Sequence, residues 1–309
     1  MQSWTQTAMA RGYVDPAFPN PMGPHDVSVI IYGYVPSLAL AVIGAVTFGI
    51  STALHLGQSL RYKTWYFAII VVGVAMEVVG YVFRALSSQK DPYSIIYFVV
   101  QYFFIVCAPV FFSAAIYVVL SRFINKAGRA YAPFPPRLIV IVFVTLDVLT
   151  TGIQIAGAAL IGTAESNQKS PSTANNILLA GLAIQVFSFA VFFAILCACI
   201  WRVSQQKDKT VWAASASART LLLALVITSA LVELRTIFRL IETAQGVFGF
   251  LSSHEAFFGC LEYLPIVLAV STWNVLHPGY LAPKDDAKNP AGSHSGNSIA
   301  PILAHAANV

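Results

Sequence analysis

Glu77 and Arg84 lie within an apolar run from Trp65 to Leu86, with Tyr81 between them. Their i, i+4, i+7 spacing puts all three on one face of a helix. Two other apolar runs repeat the theme. One carries Asp147 and Gln154 with Thr150 and Thr151 between; the other carries Arg235, Arg239 and Glu242. Seven residues of helix rise about 10 Å, so each pair marks two levels of one face. Gln101, Gln185 and Glu262 add polar positions on further runs, and Glu255 stands at the start of the last. A charged side chain at the centre of a bilayer costs about 2.5–3.5 kcal/mol on insertion scales, so these groups need partners other than lipid. Such a set can hold a charged headgroup, relay protons, or pin helices together.

The elements that must carry these residues follow from composition. The chain has 309 residues, 57% hydrophobic and 10% charged, with a mean hydropathy of +0.72. Soluble domains carry roughly a quarter charged residues, so this is a polytopic membrane protein. Seven apolar runs are present, at about Val29–Leu56, Trp65–Leu86, Tyr93–Leu120, Leu138–Ile161, Asn176–Trp201, Thr220–Ile241 and Ala256–Leu276. Each is near or above the ~20 residues of a spanning helix. The short gaps predict one all-α bundle of antiparallel neighbours. Residues 1–28 lack a signal-like apolar core and contain four prolines, so they read as an extended polar tail. Residues 277–309, rich in Ala, Pro, Asn and Ser after Pro278-Gly279, read as a disordered tail.

Orientation follows from the basic residues. The first, third and fifth loops and the C-terminal tail carry twelve Lys and Arg, against three (Arg11, Lys90, Lys169) on the other side. The N-terminus is therefore expected outside and the C-terminus in the cytoplasm. Trp65, Trp201, Trp212 and Trp273 fall at the expected cytoplasmic ends, where indoles anchor to headgroups. The net charge of +5 is spread over short loops, so nucleic acid is not an expected partner. The four cysteines sit within apolar runs and read as buried free thiols. Pro36, Pro109 and Pro265 are candidate kinks. Gly44, Gly49, Gly73, Gly80, Gly152 and Gly157 read as close-packing positions.

At ~1.5 Å per residue from the cytoplasmic ends, Asp147 lies about 14 Å deep, Glu77 about 18 Å and Glu233 about 21 Å. Arg84 and Arg239 lie further out, where snorkelling to headgroups competes with a pocket role. The polar groups thus crowd the middle and outer half, which points to a cavity opening outward. The opposite charges on the second and sixth helices predict cross-pairing, Glu77 with Arg235 or Arg239 and Arg84 with Glu242. Five acids (Glu77, Asp147, Glu233, Glu242, Glu262) against three bases (Arg84, Arg235, Arg239) leave acid to spare for an ammonium headgroup. Glu77 or Asp147 is the candidate for proton coupling. No Walker-type phosphate loop, metal-ligand spacing or nucleophile–histidine pair is present, so neither an enzyme nor a cofactor is expected.

These residues resemble the fungal lipid-translocating exporters, the Rta-like family. The matching pieces are Tyr34-Val-Pro36, Glu77-Val-Val-Gly-Tyr-Val-Phe-Arg84, Gln101 with Ala108-Pro109, Asp147 through Gly157, Gly181 to Gln185, Arg235 through Glu242 with Gly246, and His254-Glu255. Where the family often has tyrosine and aspartate after His-Glu, this chain has Gly259 and Glu262. The resemblance implies seven helices, an external N-terminus, a fungal source, and a role in moving, sensing or resisting amphiphiles such as sphingoid long-chain bases, sterol-like toxins or porphyrins; the plasma membrane is the expected location. The expected substrate site comprises Glu77, Tyr81, Arg84, Gln101, Asp147, Gln154, Gln185, Arg235, Arg239, Glu242, Glu255 and Glu262. A seven-helix sensor and a porphyrin or haem transporter (through His55 or His254) are the alternatives. Membrane lipids and an amphiphilic small molecule are the expected partners.

The orientation is testable with epitope tags. A tag at the N-terminus should be stained in intact cells, and one after Val309 only after permeabilisation. The reverse pattern would invert the topology.

Overall fold

In the computed structural model the described residues are 14–15, 30, 32–166, 172–205, 215–246 and 249–281. Seven helices among them are long and apolar enough to cross a membrane. We label them α1 Leu38–Tyr62, α2 Ile69–Gln89 (entered through a 3₁₀ turn, Trp65–Phe67), α3 Ile95–Ala127, α4 Pro136–Ser166, α5 Ser172–Ser204, α6 Ala216–Ala244 and α7 Glu255–Leu281. Helices satisfy their own backbone groups, which a bilayer core cannot do for them. Rows of large aliphatic side chains, Ile43, Val46 and Ile50 on α1 and Ile141, Val148 and Leu149 on α4, point out of the bundle. Exposed apolar area of that extent fits lipid and not water.

α3 is the hub, with 78% of its most apolar 18-residue stretch buried against 28–56% for the other helices. It packs on α2, α4 and α6, and its inner residues, from Ile105 to Ile124, contribute more to the main core than those of any other helix. Small residues set the approach of its neighbours. A Cβ added at Gly44 would sit 2.3 Å from the Tyr81 ring, and one at Gly73 would meet Phe112. Gly80 lies against Ile105, and Gly157 against the Leu178 backbone. Gly49 and Gly152 face open space, so the packing reading does not extend to them.

Helix ends follow local chemistry. Ser37 caps α1, its hydroxyl accepting from the Leu40 N–H at 3.4 Å, and Ser215 caps α6 through the Ala218 N–H. Pro36 therefore precedes α1 and does not kink it. The apolar run counted from Val29 enters the helix only at Leu38. Pro109 lies inside α3. α7 is composite: one α turn (Glu255–Phe257), a π segment (Phe258–Tyr263), and regular helix over Leu264–Val275 with Pro265 in its first turn. The proline has no N–H to give the carbonyl four residues back, and in the π segment the Leu264 N–H reaches Gly259 instead.

Other expectations need correction. Trp273 is buried against Phe67, 5.4 Å between ring centroids, so it is a core residue and not a headgroup anchor. Trp65 and Trp201 are exposed as anchors should be, while Trp212 lies outside the described residues. All four thiols are free, but only Cys107 and Cys199 are buried, and Cys197 and Cys260 lie on the surface of the bundle. After Leu276 the chain makes one more turn, Pro278–Leu281, with Pro278 and Leu281 buried. The remaining residues of both expected tails lie almost wholly outside the described set.

Gly44→Ala should destabilise the folded protein by about 1–3 kcal/mol, because Tyr81 has no room to retreat. Gly49→Ala, which meets nothing, should not. Thermal unfolding of both variants in detergent checks the contrast, and equal losses would remove the close-packing argument.

Candidate functional site

At the end of the bundle where α1 starts, a cleft of about 150 Å³ opens between the helix termini. A cavity of that size is filled by a molecule like benzene, so it fits a headgroup and not a whole lipid. Its polar lining includes Tyr32, Tyr34, Arg84, Gln101, Tyr102, Arg239 and Glu242, and Phe98, Ile105, Leu178 and Phe258 supply apolar walls. Four of these, Arg84, Gln101, Arg239 and Glu242, were expected from sequence.

The rim segment before α1 carries the tyrosines. The Tyr32 hydroxyl donates to Gln101 Oε1 at 2.6 Å, and the Tyr34 hydroxyl accepts from Arg84 Nη2 at 3.1 Å. Burial pushes the Tyr32 phenol up to about 12 and raises that of Tyr34, against the opposing pull of Arg84. Both therefore keep their protons at neutral pH. Arg84 is fully buried. Its guanidinium lies 4.0 Å from the centre of the Phe258 ring and donates to Glu255 Oε1 at 2.5 Å. The Glu255 carboxylate also accepts the Ser37 N–H, at 2.9 and 3.0 Å to its two oxygens. One acid thus binds the start of α1 to the end of α2. Across the cleft Arg239 Nη1 pairs with Glu242 Oε2 at 2.7 Å and lies over the Tyr102 ring.

Below the cleft Arg235 pairs with Glu262, both almost fully buried, and donates to the Ile105 carbonyl at 3.1 Å. That carbonyl sits four residues before Pro109, which has no N–H to offer it. The proline thus creates the acceptor and the arginine fills it. The π segment sets Glu262 in place. Glu77 feels the same two charges, attracted by Arg235 and repelled by Glu262.

The pairing differs from expectation. Glu77 is near Arg235, but the hydrogen-bonded partner of Arg235 is Glu262, and Arg84 pairs with Glu255 and not with Glu242. The seventh helix supplies both acids, Glu255 from its first turn and Glu262 from its π segment. Nor do Arg84, Arg239 and Glu242 snorkel, since their side chains are 1–14% exposed and paired.

Of the other expected site residues, Tyr81 is a core aromatic lodged between Phe48 and Tyr263 and against Gly44. Gln154 Nε2 donates to Gln185 Oε1 at 2.5 Å, tying α4 to α5. Asp147 Oδ2 accepts from the Tyr117 hydroxyl at 2.9 Å. None of Glu77, Tyr81, Asp147, Gln154, Gln185, Arg235, Glu255 and Glu262 lines the cleft, so the expected single site divides into a cleft and layers beneath it. Tyr32, Tyr102, Phe98 and Phe258 are not among the expected site residues, because an aromatic side chain in or beside an apolar run carries no charge to mark it. The Tyr-Val-Pro motif was the available signal for Tyr34.

The fold and site define a multi-pass integral membrane protein of seven helices, with a small cleft flanked by two ion pairs above a third, buried one. The chain belongs to the RTA1-like protein family, which it matches over residues 70–285. It is 28% identical to the sphingoid long-chain base transporter RSB1 of Saccharomyces cerevisiae (strain Lalvin EC1118), over 80% of this chain and 73% of the relative. It is 27% identical to the lipid-translocating exporter-like protein RTA1 of Leptosphaeria maculans, over 92% and 59%. Protein RTM1 of S. cerevisiae is 30% identical, over 71% of each. No solved structure matches the chain.

Glu262→Gln should cost about 3–5 kcal/mol of stability, because it leaves the Arg235 charge buried without its partner. Replacing both Arg235 and Glu262 by Met should cost less than the single change. Denaturant unfolding in micelles checks the order, and a milder effect for the single variant would count against the pair.

Proposed function

We propose that this protein moves amphiphilic lipids across a membrane, with sphingoid long-chain bases as the substrate class. The cleft, opening to the exterior of a fungal plasma membrane, would be the headgroup site. The observation that carries this is the size and lining of the cleft. At about 150 Å³ it admits an amino-alcohol headgroup and leaves the long tail among helices or lipid. Glu242 and Gln101 offer acceptors for ammonium and hydroxyl groups, and the aromatic walls suit the first carbons of a chain. The named activities of the two transporter relatives support the reading, as does the exposed apolar exterior. Neither enzyme nor cofactor has a part in it. The role is translocation, and export of toxic amphiphiles would follow from the same path.

Liposomes holding the purified protein, with a fluorescent sphingoid base in one leaflet, test this. Native protein should speed transfer to the other leaflet. Ala158→Trp, which fills the cleft wall, should slow it about tenfold, a barrier change of about 1.4 kcal/mol. Saturable binding without transfer would replace the translocator by a sensor. No effect of protein on either quantity would overturn the substrate class.

A further inference from the structure

The three ion pairs near the cleft are each balanced, so the excess of acids over bases within the spans lies elsewhere. Part of it is the pair Asp147 and Glu233, deeper in the bundle, where the Asp147 charge repels that of Glu233. Three helices supply this place, each through two positions one turn apart. α3 brings Ser113 and Tyr117, α4 brings Asp147 and α6 brings Glu233, and helix spacing puts Thr151 and Ser229 one turn from the two acids on the same faces. The Tyr117 hydroxyl and that of Ser113 both bond to Asp147, and Tyr117 also feels the Glu233 charge. From α5 the nearby residues are Phe189 and Phe192, which pack on the Tyr117 ring. No guanidinium or ammonium is among the groups that act on Asp147 or Glu233.

A second observation points to something missing there. Asp147 Oδ1 and Glu233 Oε2 have no hydrogen-bond partner, nor do the hydroxyls of Thr151 and Ser229. Asp147, Thr151 and Ser229 are all more than nine-tenths buried. Buried polar atoms are almost always satisfied, and four left open on facing turns describe a place for a ligand. Without a counter-charge an ionised Asp147 would carry the penalty of a buried ion, and the part-buried Glu233 a share of it.

We propose that Asp147 and Glu233, with the Ser113, Tyr117, Thr151 and Ser229 hydroxyls, form an internal site for one monovalent cation. The cation is a proton or the primary ammonium of an amphiphile. The ammonium source rests on the translocation reading above; the proton source does not. A stripe on α4 links this site to the cleft: Ala158 lines the cleft, then come Gln154, Thr151 and Asp147, a rise of roughly 16 Å. The hydrogen-bonded Gln154–Gln185 pair lies between cleft and site.

Infrared difference spectroscopy of the full-length protein in nanodiscs, between acidic and alkaline buffer, reads the occupant without any transport assay. The native protein should show the C=O band of a protonated carboxyl group. The band should be lost in Asp147→Asn and shifted or lost in Glu233→Gln, with helicity and gel-filtration profile unchanged. Adding sphinganine at constant pH should remove the band, with release of a proton, if the ammonium takes the site. Adding its N-acetyl analogue should not. A band untouched by the amine assigns the site to the proton alone. Absence of any band that depends on either residue, together with no spectral change on adding the amine, would overturn the proposal. An intact band in a protein that moves no lipid would sink the translocation reading and leave this one standing.

Discussion

The guanidinium of Arg235 is the charge on which this bundle turns. It is buried, and its partners come from two other helices: the Glu262 carboxylate on α7 and the Ile105 carbonyl on α3. Each partner exists because a helix departs from ideal geometry. On α3 a proline withholds the N–H that would have covered Ile105. On α7 a π segment, with a proline just beyond it, brings Glu262 onto the inner face. A charge inside a low-dielectric bundle binds its partners far more strongly than one at a surface, and is far costlier if they move away. The positions of α3, α6 and α7 are therefore tied to one side chain.

The cleft inherits its shape from that arrangement. With α6 and α7 held, Glu255 at the start of α7 reaches both the α1 N-terminus and Arg84 on α2. The glycines complete the assembly, since α1 comes close to α2 only because Gly44 leaves space for the Tyr81 ring. The aromatic rim and the paired arginines are what remains open at the top. Its charges are compensated in place by the Arg84–Glu255 and Arg239–Glu242 pairs, and the Arg235–Glu262 pair lies below it. The uncompensated acids lie deeper, which separates a balanced entrance from an electronegative interior.

Much of this was legible in the residues alone. Seven apolar runs of spanning length dictate seven helices, because nothing else satisfies a backbone in lipid. Polar side chains repeating at i, i+4 and i+7 dictate which faces turn inward, because the cost of exposing them to hydrocarbon is local and does not depend on the partner. The match of Glu77 through Arg84 and Asp147 through Gly157 to one family likewise needed no coordinates.

Which acid meets which base was decided only by the tertiary structure. The opposite charges on the second and sixth helices point Arg84 to Glu242, yet it pairs with Glu255, which the Ser37 N–H at the start of α1 also holds. Pro36 read as a kink and lies just before the Ser37 cap of α1; Trp273 read as an anchor and is core. Periodicity fixes a residue's angle on its own helix, but a partner depends on how two helices are rotated and raised against each other. That relation is set by glycine contacts, caps and bulges distributed over the whole bundle, so no local stretch of sequence contains it.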